Sequence, residues 1–239
     1  MTLSQPTPRA AWTTVVVLAG LVAATAAAPL RLLVVTGGHD YPTSFYTVFE
    51  QDNLAWDHAT SNEEAFRKDL RGRYDAVVLY DLSPAISPEG LAHFREFVEA
   101  GGGLVVLHHA IVSYQDSDWY RDLVGGRYLP SASAGHPAST FLHDVDMNVR
   151  VVTPHPITRG VTLTHIHDET YKGMWIAPTN TVLLATDHAT SDGPVAWVSA
   201  YKPARVVYIQ LGHGAEAHRD ASYRAIVRNA MMWVARRLD

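Results

Sequence analysis

The chain has 239 residues, of which 47% are hydrophobic and 18% charged, and its formal net charge is −5 at pH 7. This composition is typical of a folded globular protein and excludes a disordered or collagen-like chain. The mild negative charge, without a basic stripe, argues against nucleic acid as a partner. Because the chain contains no cysteine, disulfides, thiolate metal ligands and cysteine nucleophiles are excluded, whereas its 13 histidines direct attention to imidazole chemistry.

Residues 1–28 are predicted to be a secretory signal peptide. Arg9 precedes an apolar run over 10–24, and small residues follow it. Cleavage after Ala26 is favoured, because a cut after Ala28 would leave Pro29 beside the scissile bond. The alternative is an uncleaved anchor, but the run over 10–24 is shorter than the ~18 residues that a membrane span requires. We therefore expect a periplasmic or secreted protein with no stable membrane span after processing.

The rest of the chain, residues 29–239, is interpreted as one domain without a linker. Its first half alternates buried apolar runs with amphipathic segments, which is typical of a parallel sheet covered by helices on both sides. The predicted elements of this half are a strand over 30–35, a helix over 43–51, a strand over 55–60, a helix over 62–70 capped by Asn62, a strand over 74–80, a helix from 87–89 to the glycines at 101–103, and a strand over 104–107.

The second half is less regular, above all between residues 127 and 180. A short helix is predicted near 119–124, strands over 181–186, 195–200 and 206–211, and a closing helix over about 221–237. Apolar residues of that last segment recur at helical spacing, which predicts a helix that packs on the core. The expected fold class is therefore α/β with a mainly parallel central sheet.

Polar residues follow the predicted central strands at the points where they end. His39 follows the strand over 30–35, and Asp81 follows the strand over 74–80. The pair His108–His109 follows the strand over 104–107, and His213 follows the strand over 206–211. Ligands of open α/β sheets bind at the carboxyl ends of the strands. We therefore expect a site at this edge, and alternation of side chains implies that one of the adjacent histidines faces it; His109 is favoured.

Glycines next to these histidines have two interpretations. Gly37 and Gly38 precede His39, and their backbone N–H groups could hold an anionic oxygen of a substrate. The alternative is that they only form a tight turn between a strand and a helix. The two interpretations remain open from sequence.

The segment 165–175 concentrates groups that can transfer protons. Asp168 and Glu169 stand beside two histidines and two aromatic residues, so either carboxylate could act as a general base. The alternative is an acidic turn. Trp119, Tyr171 and Trp197 could offer flat faces to a ring-shaped polar ligand.

The remaining histidines receive structural interpretations. His155 lies between two prolines, where fixing a turn is a sufficient role. His58, His93, His188 and His218 are expected to be solvated surface residues.

Six stretches, taken in order, resemble the ThuA-like (trehalose utilisation) family. They are VVTGGHDY at 34–41, GGGLVVLHHA at 101–110, WYRDLVGGRY at 119–128, HPITRGV at 155–161, DETY at 168–171 and LGHG at 211–214. The resemblance implies a class I glutamine amidotransferase-like, flavodoxin-like fold, a three-layer α/β/α sandwich, and a role in the metabolism of trehalose-like or 3-keto-glycoside sugars. The chain lacks the cysteine that this superfamily usually carries, so amidotransferase chemistry is not implied. His109 stands where the family more often has a small residue.

Three hypotheses for function follow. In the first, an exported enzyme acts on a small carbohydrate, with His109 and His213 as acid/base groups and Asp168 or Glu169 as the general base. In the second, His39, His109 and His213 with a carboxylate hold Zn²⁺ or a similar ion. In the third, the protein binds a sugar or a partner without catalysis. Gly37, Gly38, His39, Asp81, Trp119, Tyr171 and Trp197 are expected to contact the substrate, and a homo-oligomer is compatible with all three hypotheses.

Overall fold

The structure is a computed structural model that describes residues 1–2, 28–133, 135–162 and 165–239. The predicted signal peptide therefore lies almost wholly outside the described residues. Within the described ranges, no helix combines the length and the apolar character needed to cross a lipid bilayer.

Strands make up most of the regular structure. In chain order they are β1 (Leu30–Gly37), β2 (Leu54–Ala59), β3 (Ala76–Asp81), β4 (Gly103–Leu107), β5 (Gly126–Arg127), β6 (Thr140–Met147), β7 (Val149–Val151), β8 (Ile166–Lys172), β9 (Trp175–Ile176), β10 (Thr181–Thr186), β11 (Pro194–Val198) and β12 (Val206–Ile209).

The central sheet has eight strands in the order β2-β1-β3-β4-β12-β11-β10-β7. The first five run parallel, and β11, β10 and β7 are added antiparallel beside β12. The expectation of a mainly parallel sheet is confirmed. Two small antiparallel pairs, β6 with β8 and β5 with β9, lie outside it. The β6–β8 pair belongs to the irregular region of the sequence, and its strand β8 supplies the carboxylates discussed below.

Helices cover both faces of the sheet. They are α1 (Asn62–Phe66), α2 (Pro88–Glu99), α3 (Asp118–Val124), α4 (Ala215–Arg219) and α5 (Ala221–Val234), with 3₁₀ helices at Thr43–Phe49, His108–Val112 and Pro156–Thr158. Side chains cap several of them, as Ser87 accepts from the backbone N–H of Gly90 and Asp220 from that of Tyr223. Such caps satisfy amides that the helix leaves unpaired and set where it begins.

The core lies in two layers, one on each face of the sheet. On β1, Leu32 and Val34 pack into the layer that contains α5, whereas Leu33 and Val35 pack into the layer that contains α2 and α3. A strand that is apolar on both faces must be covered on both. The result is the expected three-layer α/β/α arrangement.

Several predicted bounds differ from the structure. The helix expected over 43–51 is a 3₁₀ helix that ends at Phe49, and the helix expected to reach residue 70 ends at Phe66. Its cap is Ser61, which accepts from the backbone N–H of Glu64, and Asn62 is instead the first helical residue. The closing helix ends at Val234, three residues earlier than predicted. End positions depend on local hydrogen bonds, to which apolar spacing is insensitive.

Candidate functional site

The parallel strands β1, β3, β4 and β12 end at the same edge of the sheet. The loops after them carry His39, the pair His108–His109 and His213. Four side chains meet there, with one ligand-type atom of each within 4.8 Å of all the others: His108, His109, Glu169 and His213. We call these four residues the His/Glu cluster. Glu169 reaches it from β8.

His108 is the buried centre of the cluster. Its φ of 48° at the start of a 3₁₀ helix ends the strand alternation, so both adjacent histidines turn towards the site. Its Nδ1–H donates to the backbone carbonyl of Gln210. Its Nε2 faces the cluster and lies 3.0 Å from His213 Nδ1 and 3.2 Å from the Tyr171 hydroxyl. The expectation that only His109 faces the site is therefore wrong.

Glu169 is almost fully buried beneath the histidine rings. Its Oε2 lies 2.8 Å from His108 Nε2 and 3.2 Å from His213 Nδ1. Despite these short distances, Oε2 has no partner of good hydrogen-bond geometry among the described residues. Burial raises the pKa of this carboxyl, but the contacts with His108 and His213 outweigh it and hold the pKa well below its usual range. Glu169 is thus a buried carboxylate anion.

His213 and His109 differ in exposure and in electrostatics. His213 is half-buried, and its contact with Glu169 raises its pKa. Burial, together with the neighbouring His108 and His39, lowers the pKa of His109. The buried His109 Nδ1 has no hydrogen-bond partner among the described residues. His109 is therefore a neutral imidazole with an unsatisfied nitrogen, the form that ligates metal ions.

His39 is not a member of the cluster, contrary to its expected role as a metal ligand. Its ring packs against His109 with centroids 4.3 Å apart, but its Nε2 lies 3.0 Å from the backbone carbonyl of Tyr80 and donates to it. Its other ring nitrogen lies 3.1 Å from the Asp40 carbonyl. Both nitrogens thus lie against backbone oxygens, and His39 supplies none of the donor atoms of the cluster.

A β-bulge adds a histidine that the sequence analysis did not select. The pairing of β6 with β8 shifts between Leu142 and Val145, so His143 and Asp144 both stand opposite Glu169. His143 Nδ1 lies 3.3 Å from Glu169 Oε1, and its ring is 4.6 Å from that of His213. Bulges commonly re-aim side chains beside active sites. Here the bulge brings a half-exposed imidazole to the rim of the cluster.

One cavity of about 290 Å³ opens beside the cluster. Its apolar walls are Leu82, Val112, Tyr128 and Phe141, and it is also lined by His109, His143, Glu169 and Tyr171. We call it the apolar cavity. Tyr171 is stacked on His108 and contributes its ring to the cavity wall, and its contact with a substrate stays a prediction.

A second cavity, of about 260 Å³, lies on the other side of His213. Its polar lining includes Asp144, His167 and Glu216, with Asp168, Gly214 and Ala215. We call it the acidic cavity. His143 lines the first cavity and His213 the second, so the two cavities adjoin across these two rings, whose planes are tilted by 45°.

Asp168 holds the backbone of the site and does not face it as a general base. Both of its oxygens accept backbone N–H groups, from Gly212 at 2.7 Å and from His213 at 2.9 Å. The side chain is buried, and burial raises its pKa while His108 and these amides oppose the rise. We therefore correct its role to that of a positioning residue, and Glu169 alone is the carboxylate of the cluster.

The glycine pair at the end of β1 is explained by chain packing. A Cβ on Gly37 would lie 2.2 Å from the Thr60 carbonyl oxygen, and one on Gly38 would lie 2.0 Å from that of Leu82. Both residues also have positive φ, of 111° and 78°. The tight-turn interpretation thus accounts for both glycines, without a substrate oxygen.

Three expected substrate contacts lie elsewhere. Asp81 is fully buried, accepts from the Tyr114 hydroxyl, and has its pKa raised to about 6 by burial. Trp197 is fully buried, and its indole N–H donates to the Val124 carbonyl. Trp119 lies on α3, packs against Arg95 and lines a separate surface cavity. Strand-end position and aromatic character do not reveal which side chains a neighbouring element covers.

The other histidines are less exposed than predicted, and they form hydrogen bonds within the fold. His218 is fully buried and its Nε2 lies 2.9 Å from the Gly212 carbonyl, so its assignment to the surface is wrong. His58, His93 and His188 are only partly exposed, and each has a hydrogen bond. His155 caps the 3₁₀ helix at Pro156 by accepting from the Ile157 N–H, as its turn role predicts.

The comparisons with known proteins agree with this architecture. The model of the ThuA family, described as trehalose utilisation, matches residues 31–234. A ThuA-like protein from Parabacteroides merdae has a similar solved structure, with 19% identity, a TM-score of 0.72, and coverage of 87% of this chain and 90% of that one. A ThuA-like protein from Bacteroides uniformis also has a similar structure, with 20% identity, a TM-score of 0.64, and coverage of 90% of this chain and 95% of that one.

A more distant similarity involves part of a larger protein. The cold-adapted β-galactosidase of Rahnella sp. R3 matches with 15% identity and a TM-score of 0.59, over 86% of this chain but 31% of its own. At such identities these structures show a shared fold alone. No curated protein matches the chain.

Proposed function

Because the chain belongs to the ThuA family of trehalose utilisation, we propose that it is an enzyme that acts on trehalose-like or 3-keto-glycoside sugars at the His/Glu cluster. The family supports the class of substrate. The observation that carries the chemistry is a buried carboxylate, Glu169, in contact with three imidazoles, His108, His143 and His213. Such a group can hold a positive charge or transfer protons beside a cavity of ligand size.

We propose further that the cluster holds a divalent ion such as Zn²⁺. Zinc takes histidine and carboxylate ligands at about 2.0–2.2 Å, which places the donor atoms roughly 3.3–3.6 Å apart. The donor atoms here lie within 4.8 Å of one another, and the buried His109 Nδ1 and Glu169 Oε2 lack well-directed partners among the described residues. Lone pairs that face one another in a buried site repel unless a cation or a proton lies between them. The donor set therefore fits a metal, with His108 in place of the expected His39.

Other residues of the chain would orient the metal ligands and transfer protons. The Gln210 carbonyl orients the His108 ring, which leaves Nε2 towards the cluster, as metal-ligating histidines are usually oriented. A bound divalent ion would supply Lewis acidity towards a sugar carbonyl or a water molecule. His143 is half-exposed and outside the donor set, so it is placed to exchange a proton with a substrate that lies over the cluster.

The testing experiment is a product assay with the untagged protein. Trehalose, 3-keto-trehalose and a 3-keto-glucoside are incubated with the protein as isolated and after chelation, and products are followed by chromatography. We expect turnover of a keto-sugar that chelation abolishes and added Zn²⁺ restores. Saturable binding of a sugar without product would instead support a non-catalytic binding protein. Turnover that survives complete metal removal would overturn the proposal of a bound metal and would leave the proposal of acid–base catalysis standing.

We also propose that the protein is exported, on the basis of the apolar segment after Arg9. Expression of the full chain in a Gram-negative host and N-terminal sequencing of the periplasmic fraction test this. The expected mature chain begins at Ala27. Recovery of the intact chain in the membrane fraction would favour the uncleaved anchor.

A further inference from the structure

The most exposed aromatic side chain at the site is unexplained by folding. Phe141 is 55% exposed, although it lies on β6 only two residues from His143, and its ring centroid is 4.9 Å from that of His143. It forms the apolar cavity together with the more deeply placed Leu82, Val112 and Tyr128. A large apolar side chain held open to water beside polar groups marks a surface that a ligand covers.

The two cavities have opposite character. The apolar cavity presents aromatic and aliphatic faces, whereas the acidic cavity presents the carboxylates of Asp144 and Glu216. Carboxylates accept hydrogen bonds from hydroxyl groups, while flat apolar walls pack against rings without such groups. Each cavity alone lies near the lower end of the range for small-molecule sites, ~300–1,000 Å³.

The cavities adjoin at a defined place. The ring of His143 lines the apolar cavity and that of His213 lines the acidic cavity, with centroids 4.6 Å apart. Glu169 contacts both rings from below, through Oε1 and Oε2 respectively. A ligand that fills both cavities therefore has two chemically different parts, joined over the His/Glu cluster.

We propose that the site binds glycosides with a flat, apolar aglycone: the sugar ring occupies the acidic cavity, and an aryl group occupies the apolar cavity against Phe141. This assignment rests on the proposed carbohydrate function and names its preferred substrate class. A second sugar ring in the apolar cavity would place some of its hydroxyl groups against Leu82, Val112 and Phe141, whose side chains offer no hydrogen-bond partner. Phe141 is then a specificity-determining residue.

The test is a comparison of phenyl glucoside with methyl glucoside by isothermal titration calorimetry on the full chain. The two ligands share the sugar and differ only in the aglycone. We expect the protein to bind the phenyl glucoside roughly tenfold more tightly, and Phe141→Ala to reduce this ratio by about 3- to 10-fold. Leu142→Ala is the matched control, because Leu142 is 47% exposed on the same strand but does not line the cavity. It should leave the ratio unchanged.

Further variants separate the two cavities. Glu216→Gln should weaken both ligands by the same factor, since it touches only the sugar side. Phe141→Leu, which keeps an apolar side chain at the same exposed position, should give an intermediate ratio and guards against misfolding of the alanine variant. Equal affinity of the wild type for the two glucosides, no binding of either, or an unchanged ratio in Phe141→Ala would each overturn the assignment.

The outcomes distinguish this inference from the proposed function. Selective binding of the phenyl glucoside, without product from any glycoside, would support the cavity assignment. It would overturn the proposal that the protein is an enzyme. Turnover of 3-keto-trehalose without a preference for the phenyl glucoside would support the enzyme and overturn the aryl subsite.

Discussion

The Asp168 carboxylate accepts the backbone N–H of His213 at 2.9 Å, while the next residue, Glu169, contacts the His213 ring at 3.2 Å. Two adjacent carboxylates on β8 thus hold the same histidine, one by its backbone and the other by its imidazole. Neighbouring residues of a strand point to opposite sides. Asp168 can therefore bind the backbone of the loop that carries His213, while Glu169 points into the His/Glu cluster.

Asp168→Asn is expected to destabilise the loop that carries His213. An amide offers one acceptor oxygen, so its NH₂ group would face the second backbone N–H, from Gly212 or His213, without a bond. We expect the free energy of unfolding to fall by about 1–3 kcal/mol, measured by urea denaturation. Asp187→Asn, at an exposed position, is the control and should have no effect. Equal stability of the two variants would contradict the positioning role.

Untagged protein is expected to contain about one equivalent of a divalent metal, since one four-residue donor set is found among the residues that the structure describes. Glu169→Gln and His108→Gln should each lose most of it, by inductively coupled plasma mass spectrometry. His165→Gln, an exposed histidine beside β8 but outside the cluster, should retain it. Metal-free wild-type protein that also fails to take up Zn²⁺, Mn²⁺ or Fe²⁺ would rule out the metal.

Glu169→Gln and His213→Gln are expected to lower kcat on the keto-sugar that the wild type turns over, by about 10²–10⁴-fold. The first removes the buried charge that all three neighbouring imidazoles contact, and the second removes a ring that lines the acidic cavity. Steady-state kinetics measure the effect, with His165→Gln as control. A wild-type kcat in both variants would show that the His/Glu cluster takes no part in the reaction.

Gly38→Ala is expected to be more destabilising than Gly72→Ala. Both glycines have positive φ, of 78° and 72°, which costs a residue with a Cβ about 1–3 kcal/mol. Only at Gly38 would the Cβ also collide with the Leu82 carbonyl oxygen; nothing lies within 4 Å at Gly72. Thermal unfolding compares the two. Equal stability, with kcat reduced in Gly38→Ala alone, would instead favour an oxyanion-binding turn.

Asp81→Asn is expected to stabilise the protein at neutral pH but not in acid. Burial raises the pKa of Asp81 to about 6, above the ~3.9 of an unfolded chain. Between these values the native state binds more protons than the unfolded state, so wild-type stability falls as pH rises through this window. Asparagine cannot ionise and avoids this loss, which amounts to about 2–3 kcal/mol above pH 6.

Urea denaturation of wild type and Asp81→Asn at pH 4, 5, 6 and 7.5 measures this effect. The advantage of the variant should be close to zero at pH 4 and largest at pH 7.5. An advantage that is independent of pH would show that changed packing, and not the buried charge, is responsible.

Much of the fold could be predicted because the information is local. The runs at 30–35 and 104–107 are apolar on both faces, and a strand with this pattern is stable only in a sheet covered on both sides. The rule that parallel strands end at one edge then predicts that His39, His108, His109 and His213 lie near one another.

The sequence by itself therefore determined the layers, the parallel strands and the edge at which imidazoles gather, since these follow from hydrophobic periodicity. Tertiary structure alone decided which side chains reach the His/Glu cluster. The 3₁₀ turn at His108 and the bulge at His143–Asp144 break the alternation from which side-chain direction is predicted, and they bring His108 and His143 to Glu169. Packing from distant segments covers Asp81 and Trp197, and burial of that kind depends on neighbours that no local pattern encodes.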